Sequence, residues 1–180
     1  MEYVLYVVIG VILIIFIWWI STSNKLKKMT IKVDESLSGI DIALTKRYEV
    51  LTKMIEVVKG YVKHEKETLF EIVNLRKEMT LPEKITENQK MDNNMQKINV
   101  LVENYPDLKA SENFMVLQKA IIDVEEHLQA SRRLYNSNVT LYNDLVMLFP
   151  SNIVAKATGK KAKEFFKATE KQKEYVKVDI

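Results

Sequence analysis

Apolar residues run without a break from Tyr3 to Ile20, and Gly10 is the only small residue among them. As a helix, these 18 residues would rise about 27 Å, close to the roughly 30 Å hydrocarbon core of a bilayer. Trp18 and Trp19 end the stretch, where aromatic rings favour the headgroup level. The pattern predicts a transmembrane helix over residues 3–20.

Two other interpretations of this stretch are a buried core helix and a cleaved secretory signal. A helix that is apolar on every face at the start of a chain has no obvious packing partner. Ser21-Thr22-Ser23 offers small residues for cleavage, but Glu2 is charged and no Lys or Arg precedes the stretch, unlike a signal peptide. We therefore expect an uncleaved anchor, with residues 1–2 as a short extracytoplasmic N-terminus.

The segment over residues 21–32 is basic. It contains Lys25, Lys27, Lys28 and Lys32, whereas no basic residue lies upstream of the apolar stretch. Cytoplasmic flanks of membrane helices carry such an excess of lysine. The distribution predicts a single-pass protein of the cell membrane, N-terminus outside, with its body in the cytoplasm and its juxtamembrane lysines near membrane lipid. No helix breaker lies between Ile20 and Val33, so one expectation is that the first long helix of the body continues the membrane helix; the alternative is a hinge at Ser21 to Asn24.

From residue 33 onward, apolar residues recur at helical spacing, and we predict a helical bundle over residues 33–167. No proline occurs before Pro82, so the first long helix is expected to run from Val33 to about Met79. A second helix is expected from Pro82 to Asn104, with Thr80 and Glu83 at capping-box spacing. Its polar stretch, Glu87 to Asn94, makes it the weakest of the helices.

The third helix has a seven-residue repeat typical of a coiled coil. Its first seam is Phe114, Ile121, Leu128, Tyr135, Tyr142 and Phe149, and its second is Leu117, Val124, Ser131, Asn138 and Leu145. Polar seam residues are costly unless they form hydrogen bonds across the interface. Ser151 is expected to cap a short fourth helix over 152–158 that Gly159 ends. Phe165 and Phe166 are expected to fold back onto the bundle, and residues 168–180 to form a mobile charged tail.

Short connections near residues 80 and 108 make sequential helices antiparallel neighbours. The predicted fold class is therefore all-α: an N-terminal transmembrane helix followed by an elongated antiparallel, mostly four-helix bundle. With only 4 Gly and 3 Pro among 180 residues, turn-rich architectures are disfavoured.

The composition and the residue spacing argue against most kinds of catalytic site. The chain has no Cys, and neither His64 nor His127 has further ligands at metal-binding spacing. We predict no catalytic residue, no metal site, no cofactor and no enzymatic activity. A net charge of +3 with interspersed signs also disfavours nucleic-acid binding.

Two separated blocks of residues resemble the LemA family. The first comprises Ile40-Asp41, Leu44, Arg47, Leu51, Val57-Val58-Lys59-Gly60-Tyr61, His64-Glu65, Leu69, Val73 and Arg76. The second comprises Tyr105-Pro106-Asp107-Leu108-Lys109-Ala110, Phe114, Leu117-Gln118, Glu125, Arg132, Tyr135-Asn136, Val139, Tyr142-Asn143, Phe149-Pro150 and Phe165-Phe166. Thr52 stands where the family usually has proline, which puts any family kink there in doubt. The resemblance implies a bacterial helical bundle on a single membrane pass, without catalytic residues.

Two hypotheses for function follow. The first is a non-enzymatic scaffold or adaptor at the cytoplasmic membrane, with a protein partner still to be identified. The alternative is a membrane-tethered sensor of a small molecule or lipid, with a pocket lined by Tyr61, Tyr135 and Tyr142. A candidate binding groove lies at Lys59, Tyr61, Tyr135 and Asn136, provided that the two helices pack antiparallel.

Overall fold

The computed structural model describes residues 1–62, 70–76 and 79–166. These residues form five helices and contain no strand, which confirms the predicted all-α class. The helices are α1 (Glu2–Tyr61), α2 (Leu81–Asn104), α3 (Pro106–Lys109), α4 (Glu112–Met147) and α5 (Ser151–Ala157). The predicted mobile tail over residues 168–180 lies outside the described residues, as does His64.

The apolar stretch and the helix that follows it are one continuous helix, α1. The alternative of a hinge at Ser21 to Asn24 is wrong, because these residues are helical and Thr22 is buried. No glycine or proline interrupts α1 here, so its backbone hydrogen bonds continue unbroken. The helix also continues through Thr52, whose hydroxyl donates to the carbonyl oxygen of Tyr48.

The prediction that the first long helix extends to Met79 is wrong, because α1 ends at Tyr61. Residues 71–76 are not helical, and Ile72, which the apolar pattern assigned to the buried stripe, is 77% exposed. Side chains of α2 bind the backbone of this segment, as described below. These hydrogen bonds give the backbone N–H groups of residues 71–76 an alternative to the hydrogen bonds of a helix.

Helix α2 begins close to the predicted position. The carboxylate of Glu83 accepts hydrogen bonds from both the backbone N–H and the hydroxyl of Thr80, at 2.7 and 2.8 Å. These bonds lower the pKa of Glu83, since they favour the charged form. Pro106 ends α2 as expected and also begins the short α3, which the sequence did not predict.

The seven-residue repeat of α4 is confirmed for most positions. The first seam is buried from Phe114 to Tyr142. Phe149 is the exception: it lies beyond the end of α4 and is 80% exposed, so its assignment to the seam is wrong. In the second seam, the amide of Asn138 donates to the carbonyl oxygen of Lys32 on α1, at 3.2 Å. This polar seam residue therefore has the cross-helix hydrogen bond that its position requires.

The last short helix differs from the prediction at its start. Pro150, and not Ser151, occupies the N-cap of α5, and the Ser151 hydroxyl donates back to the carbonyl oxygen of Leu148. The predicted stop is confirmed, because Gly159 has a φ of 66°, which only glycine adopts at little cost. Phe166 is buried as expected, whereas Phe165 is exposed.

The chain divides into two compact units. The first unit contains residues 1–38 and 133–165; the described part of the second contains 39–62, 70–76, 79–132 and Phe166. The core of the first unit includes Leu26, Val33, Val139, Tyr142 and Val154. The core of the second unit is formed by Leu51, Met54, Val58, Met91, Ile98, Leu108, Phe114 and Ile121, with further residues around them.

Candidate functional site

A buried guanidinium lies at the centre of the second unit. Arg47 on α1 is only 4% exposed. Its Nε donates to Glu125 Oε1 on α4 at 2.7 Å, and its Nη2 contacts Asp92 Oδ1 on α2 at 2.6 Å. Its Nη1 donates to Asn88 Oδ1 at 2.6 Å. Arg47 therefore joins three helices through charge-assisted hydrogen bonds.

The two α2 residues of this cluster are themselves connected. Asn88 and Asp92 are four residues apart, so they lie on one face of α2. The amide of Asn88 donates to Asp92 Oδ2 at 3.4 Å, while its own oxygen accepts from Arg47. The polar stretch Glu87 to Asn94 made α2 the weakest of the predicted helices. Two of its polar residues, Asn88 and Asp92, contact the buried guanidinium of Arg47.

Arg132 on α4 is a second buried arginine in this region and is 8% exposed. Burial and the nearby positive charge of Arg47 lower its pKa, and Asp92 and Glu125 partly offset this effect. Its guanidinium carbon lies 4.9 Å from the centroid of the Phe166 ring, a cation–π geometry. Within the described part of the chain, its Nε has no hydrogen-bond partner.

The formal charges of this cluster balance, because Arg47 and Arg132 face Asp92 and Glu125. An ion pair of this kind is costly to bury, and its strength depends on complete hydrogen bonding. Arg47 has that complete set of partners. Across residues 1–62, 70–76 and 79–166, no group of three metal-ligating side chains comes together. The arrangement can hold α1, α2 and α4 in fixed positions.

A second polar arrangement in the same unit binds the non-helical segment 70–76 to α2. The amide oxygen of Asn94 accepts from the Glu71 N–H at 2.7 Å, and its nitrogen donates to the Glu71 carbonyl oxygen at 2.9 Å. Glu87 accepts from the Asn74 N–H at 2.8 Å. Burial raises the pKa of Glu87, but the hydrogen bonds from Lys90 and Asn74 outweigh it, so the pKa lies below its ordinary value.

The first unit repeats this arrangement on residues 160–165. Asn143 on α4 accepts from the Lys163 N–H at 2.8 Å and donates to the Lys163 carbonyl oxygen at 3.0 Å. The Tyr135 hydroxyl donates to the Glu164 carbonyl oxygen at 3.0 Å. Lys163 Nζ contacts Asp34 Oδ1 at 2.6 Å and lies 5.7 Å from the centroid of the Tyr142 ring. This segment is therefore attached to both α4 and α1.

Both tyrosines of this attachment have raised pKa values. Burial is the main cause for Tyr135, followed by the negative charges of Asp34 and Glu164. Burial and Asp34 also raise the pKa of Tyr142, partly offset by a hydrogen bond with Thr30. Both hydroxyls thus stay protonated at neutral pH.

The residues of the candidate groove belong to different units. Lys59 and Tyr61 are exposed near the end of α1, in the second unit. Tyr135 is buried and Asn136 partly buried, and both belong to the first unit. Tyr135 is occupied by its bond to Glu164, and Asn136 also has an interaction partner. The groove stays a prediction.

Sequence reasoning missed Asn88, Asp92 and Asn94, because a polar stretch on a helix usually faces solvent. Their spacing was nevertheless informative. Four buried residues of α2 are three or four positions apart: Asn88, Met91, Asn94 and Ile98. The buried face of this helix therefore includes two asparagines beside its apolar residues. Arg47, Glu125, Arg132, Tyr135 and Asn143 all belong to the resemblance blocks, and each has a structural contact here.

The chain is similar in sequence to a known protein family and to two known proteins. The family model described as LemA family matches residues 36–180. Protein LemA of Metamycoplasma hominis is 28% identical over 164 residues, covering 87% of this chain and 74% of that protein. Magnetosome protein MamQ of Magnetospirillum gryphiswaldense is 24% identical over 74 residues, covering 41% of this chain and 27% of that protein. Since the family match spans most of the chain, this protein belongs to the LemA family.

Proposed function

We propose that this protein is a single-pass membrane protein whose helical body acts as a scaffold or adaptor at the cytoplasmic face. One observation carries the proposal: the apolar stretch of α1 is exposed and continues without a break into a packed helical unit. α1 has the length and composition of a membrane-spanning helix. A helical stretch that is apolar on all faces and that none of the described residues covers is suited to lipid.

The lysine distribution supports the orientation. Lys25, Lys27 and Lys28 are exposed directly after the apolar stretch. They favour a cytoplasmic location for the downstream body, because lysine-rich flanks remain on that side of the membrane.

Polar contacts within each of the two units support a non-enzymatic role. Arg47, Asn94 and Asn143 direct their polar atoms at other parts of the chain and hold helices and segments in place. A fixed arrangement of helices suits presentation of a surface to a partner protein. For the alternative, a ligand sensor, the hydroxyls of Tyr135 and Tyr142 are already engaged within the first unit. We therefore prefer the scaffold.

Cysteine labelling tests the topology, since the chain has no native Cys. We expect Glu2→Cys to react with a membrane-impermeant maleimide in intact cells, and Lys119→Cys to react only after lysis. Labelling of Lys119→Cys in intact cells would contradict the orientation. Release of the protein from membranes by carbonate would contradict the anchor.

Affinity capture of the full chain from detergent-solubilised membranes tests the scaffold role. We expect a specific partner that is retained by the wild type and lost when exposed residues of its surface are changed. Thermal stabilisation of the full chain by a small molecule, with no captured partner, would favour the sensor instead.

A further inference from the structure

The transition from exposed to buried residues in α1 marks where the body of the first unit begins. Residues 3–17 are exposed except for Gly10, Trp18 and Trp19 are partly buried, and Thr22 and Leu26 are buried. Within the first unit, the residues that can cover this part of α1 come from residues 133–165. Some of these residues must therefore lie beside the end of the apolar stretch.

The pairing of α1 with α4 identifies them. Asn138 bonds to Lys32, and Tyr142 bonds to Thr30, so the two helices are antiparallel in this unit. Each residue toward the end of α4 advances about 1.5 Å toward the start of α1. Met147, the last residue of α4, is five residues beyond Tyr142, or roughly 7.5 Å, and the matching position on α1 lies near residues 23–25. We call residues 147–153 the α4–α5 corner.

The α4–α5 corner exposes large apolar side chains. Met147 is 67% exposed, Leu148 60% and Phe149 80%, and Ile153 is also exposed. The next residues, Val154 and Ala155, are fully buried. One side of α5 is therefore buried, while the corner presents its apolar residues outward, about one helical turn along α1 from the end of the apolar stretch.

The charge around the corner is mostly positive, and Asp144, three residues before Met147, is the nearest carboxylate along the chain. Residues 18–33 and 146–163 together contain eight lysines and no Asp or Glu. The lysines are Lys25, Lys27, Lys28, Lys32, Lys156, Lys160, Lys161 and Lys163. Apart from Lys163, which pairs with Asp34, none of them forms an ion pair with a carboxylate among the described residues. An apolar tip surrounded by lysines is complementary to an anionic lipid surface.

We propose that the α4–α5 corner is a second membrane-contact element, with its apolar side chains in the bilayer interface and the surrounding lysines at anionic headgroups. This inference rests on the proposed membrane anchor, because α1 would hold the corner at that depth. Burial of the exposed apolar area and the attraction of each lysine to an anionic surface both favour this contact. The corner thus fixes which side of the first unit faces the membrane.

Depth-dependent fluorescence tests the proposal on the full chain. Both native tryptophans lie in the apolar stretch, so the background carries Trp18→Phe and Trp19→Phe. Phe149→Trp then places a single probe at the corner, and Leu141→Trp serves as the matched control. Leu141 is also exposed, but it lies six residues before the end of α4, roughly 9 Å along the helix from the corner. Both variants are reconstituted in vesicles of brominated phosphatidylcholine and phosphatidylglycerol.

We expect bromolipid to quench the Phe149→Trp emission several-fold more strongly than the Leu141→Trp emission. Equal, weak quenching of both probes in protein that floats with the vesicles would overturn the corner proposal and leave the anchor standing. Blue-shifted but unquenched emission would also overturn it, because a protein surface would then cover the corner. Failure to float with the vesicles would overturn the anchor and the corner proposal with it.

Discussion

The side-chain amide of Asn143 binds both the N–H and the carbonyl oxygen of Lys163. Asn94 binds Glu71 in the same way. In each case an asparagine on a helix satisfies the backbone of a segment that has no helical partner of its own. The two non-helical segments are thus attached to helices by the same chemistry.

Replacing Asn143 should detach the segment around Lys163. We expect Asn143→Leu to cost about 1–3 kcal/mol, because two backbone groups lose their partners. Thr140→Ala is the control, since its hydroxyl only bonds back within α4. Chemical unfolding of the full chain in detergent measures both. Equal stability of the two variants would contradict the attachment.

Removing Arg47 should leave two carboxylates without their buried partner. We expect Arg47→Ala to destabilise the protein by about 3–5 kcal/mol, the typical cost of breaking a buried ion pair. Lys46→Ala, at the exposed neighbouring position, should change stability by less than about 0.5 kcal/mol. Denaturant midpoints provide the comparison.

A quadruple change tests whether the charges themselves are needed. Arg47→Met and Arg132→Met combined with Asp92→Leu and Glu125→Leu remove all four charges of the cluster together. We expect this variant to recover much of the stability lost in Arg47→Ala, since apolar replacements of similar volume often match a buried ion pair. A quadruple variant less stable than Arg47→Ala would show that the cluster contributes more than its balanced charges.

The lowered pKa of Glu87 predicts a specific acid sensitivity. A folded-state pKa below the unfolded value of about 4.3 stabilises the fold above that pH. This contribution disappears as the pH falls through the folded-state pKa. We therefore expect the stability difference between wild type and Glu87→Gln to be constant down to about pH 5 and to shrink below it.

Unfolding curves from pH 7 to the acid limit of folding provide the measurement for Glu87. Glu49→Gln is the control, because Glu49 is exposed. A stability difference between the wild type and Glu87→Gln that does not change with pH would contradict the lowered pKa of Glu87.

The seam of α4 can be tested with a buried charge. We expect Leu128→Asp to abolish cooperative unfolding, because Leu128 is fully buried and its replacement carries an unpaired carboxylate. Leu134→Asp places the same charge at an exposed leucine of the same helix. A Leu128→Asp variant that melts within a few degrees of Leu134→Asp would contradict the seam.

Periodicity was sufficient to locate most helices. The spacing of Leu44, Leu51 and Val58 predicted their burial on α1, and Thr80 with Glu83 predicted the start of α2. These signals are local, since they depend on one helix face or one turn. Phe149 was misassigned because a repeat continues in the sequence past the point where the helix ends.

The polar contacts could not be predicted from local patterns. Nothing near Ile72 indicates that Asn94, more than twenty residues later, binds the backbone of the segment. Arg47 likewise depends on partners from two other helices. Such pairings form between distant parts of the chain, so only the folded structure reveals them.

The uninterrupted passage of α1 through Thr22 has a mechanical consequence within the first unit. A membrane helix adapts to bilayer thickness by changing its tilt. With the membrane anchor proposed above, and without a flexible joint below the apolar stretch, any such tilt would carry the first unit with it. The angle at which this unit meets the membrane surface would then follow the thickness of the surrounding lipid.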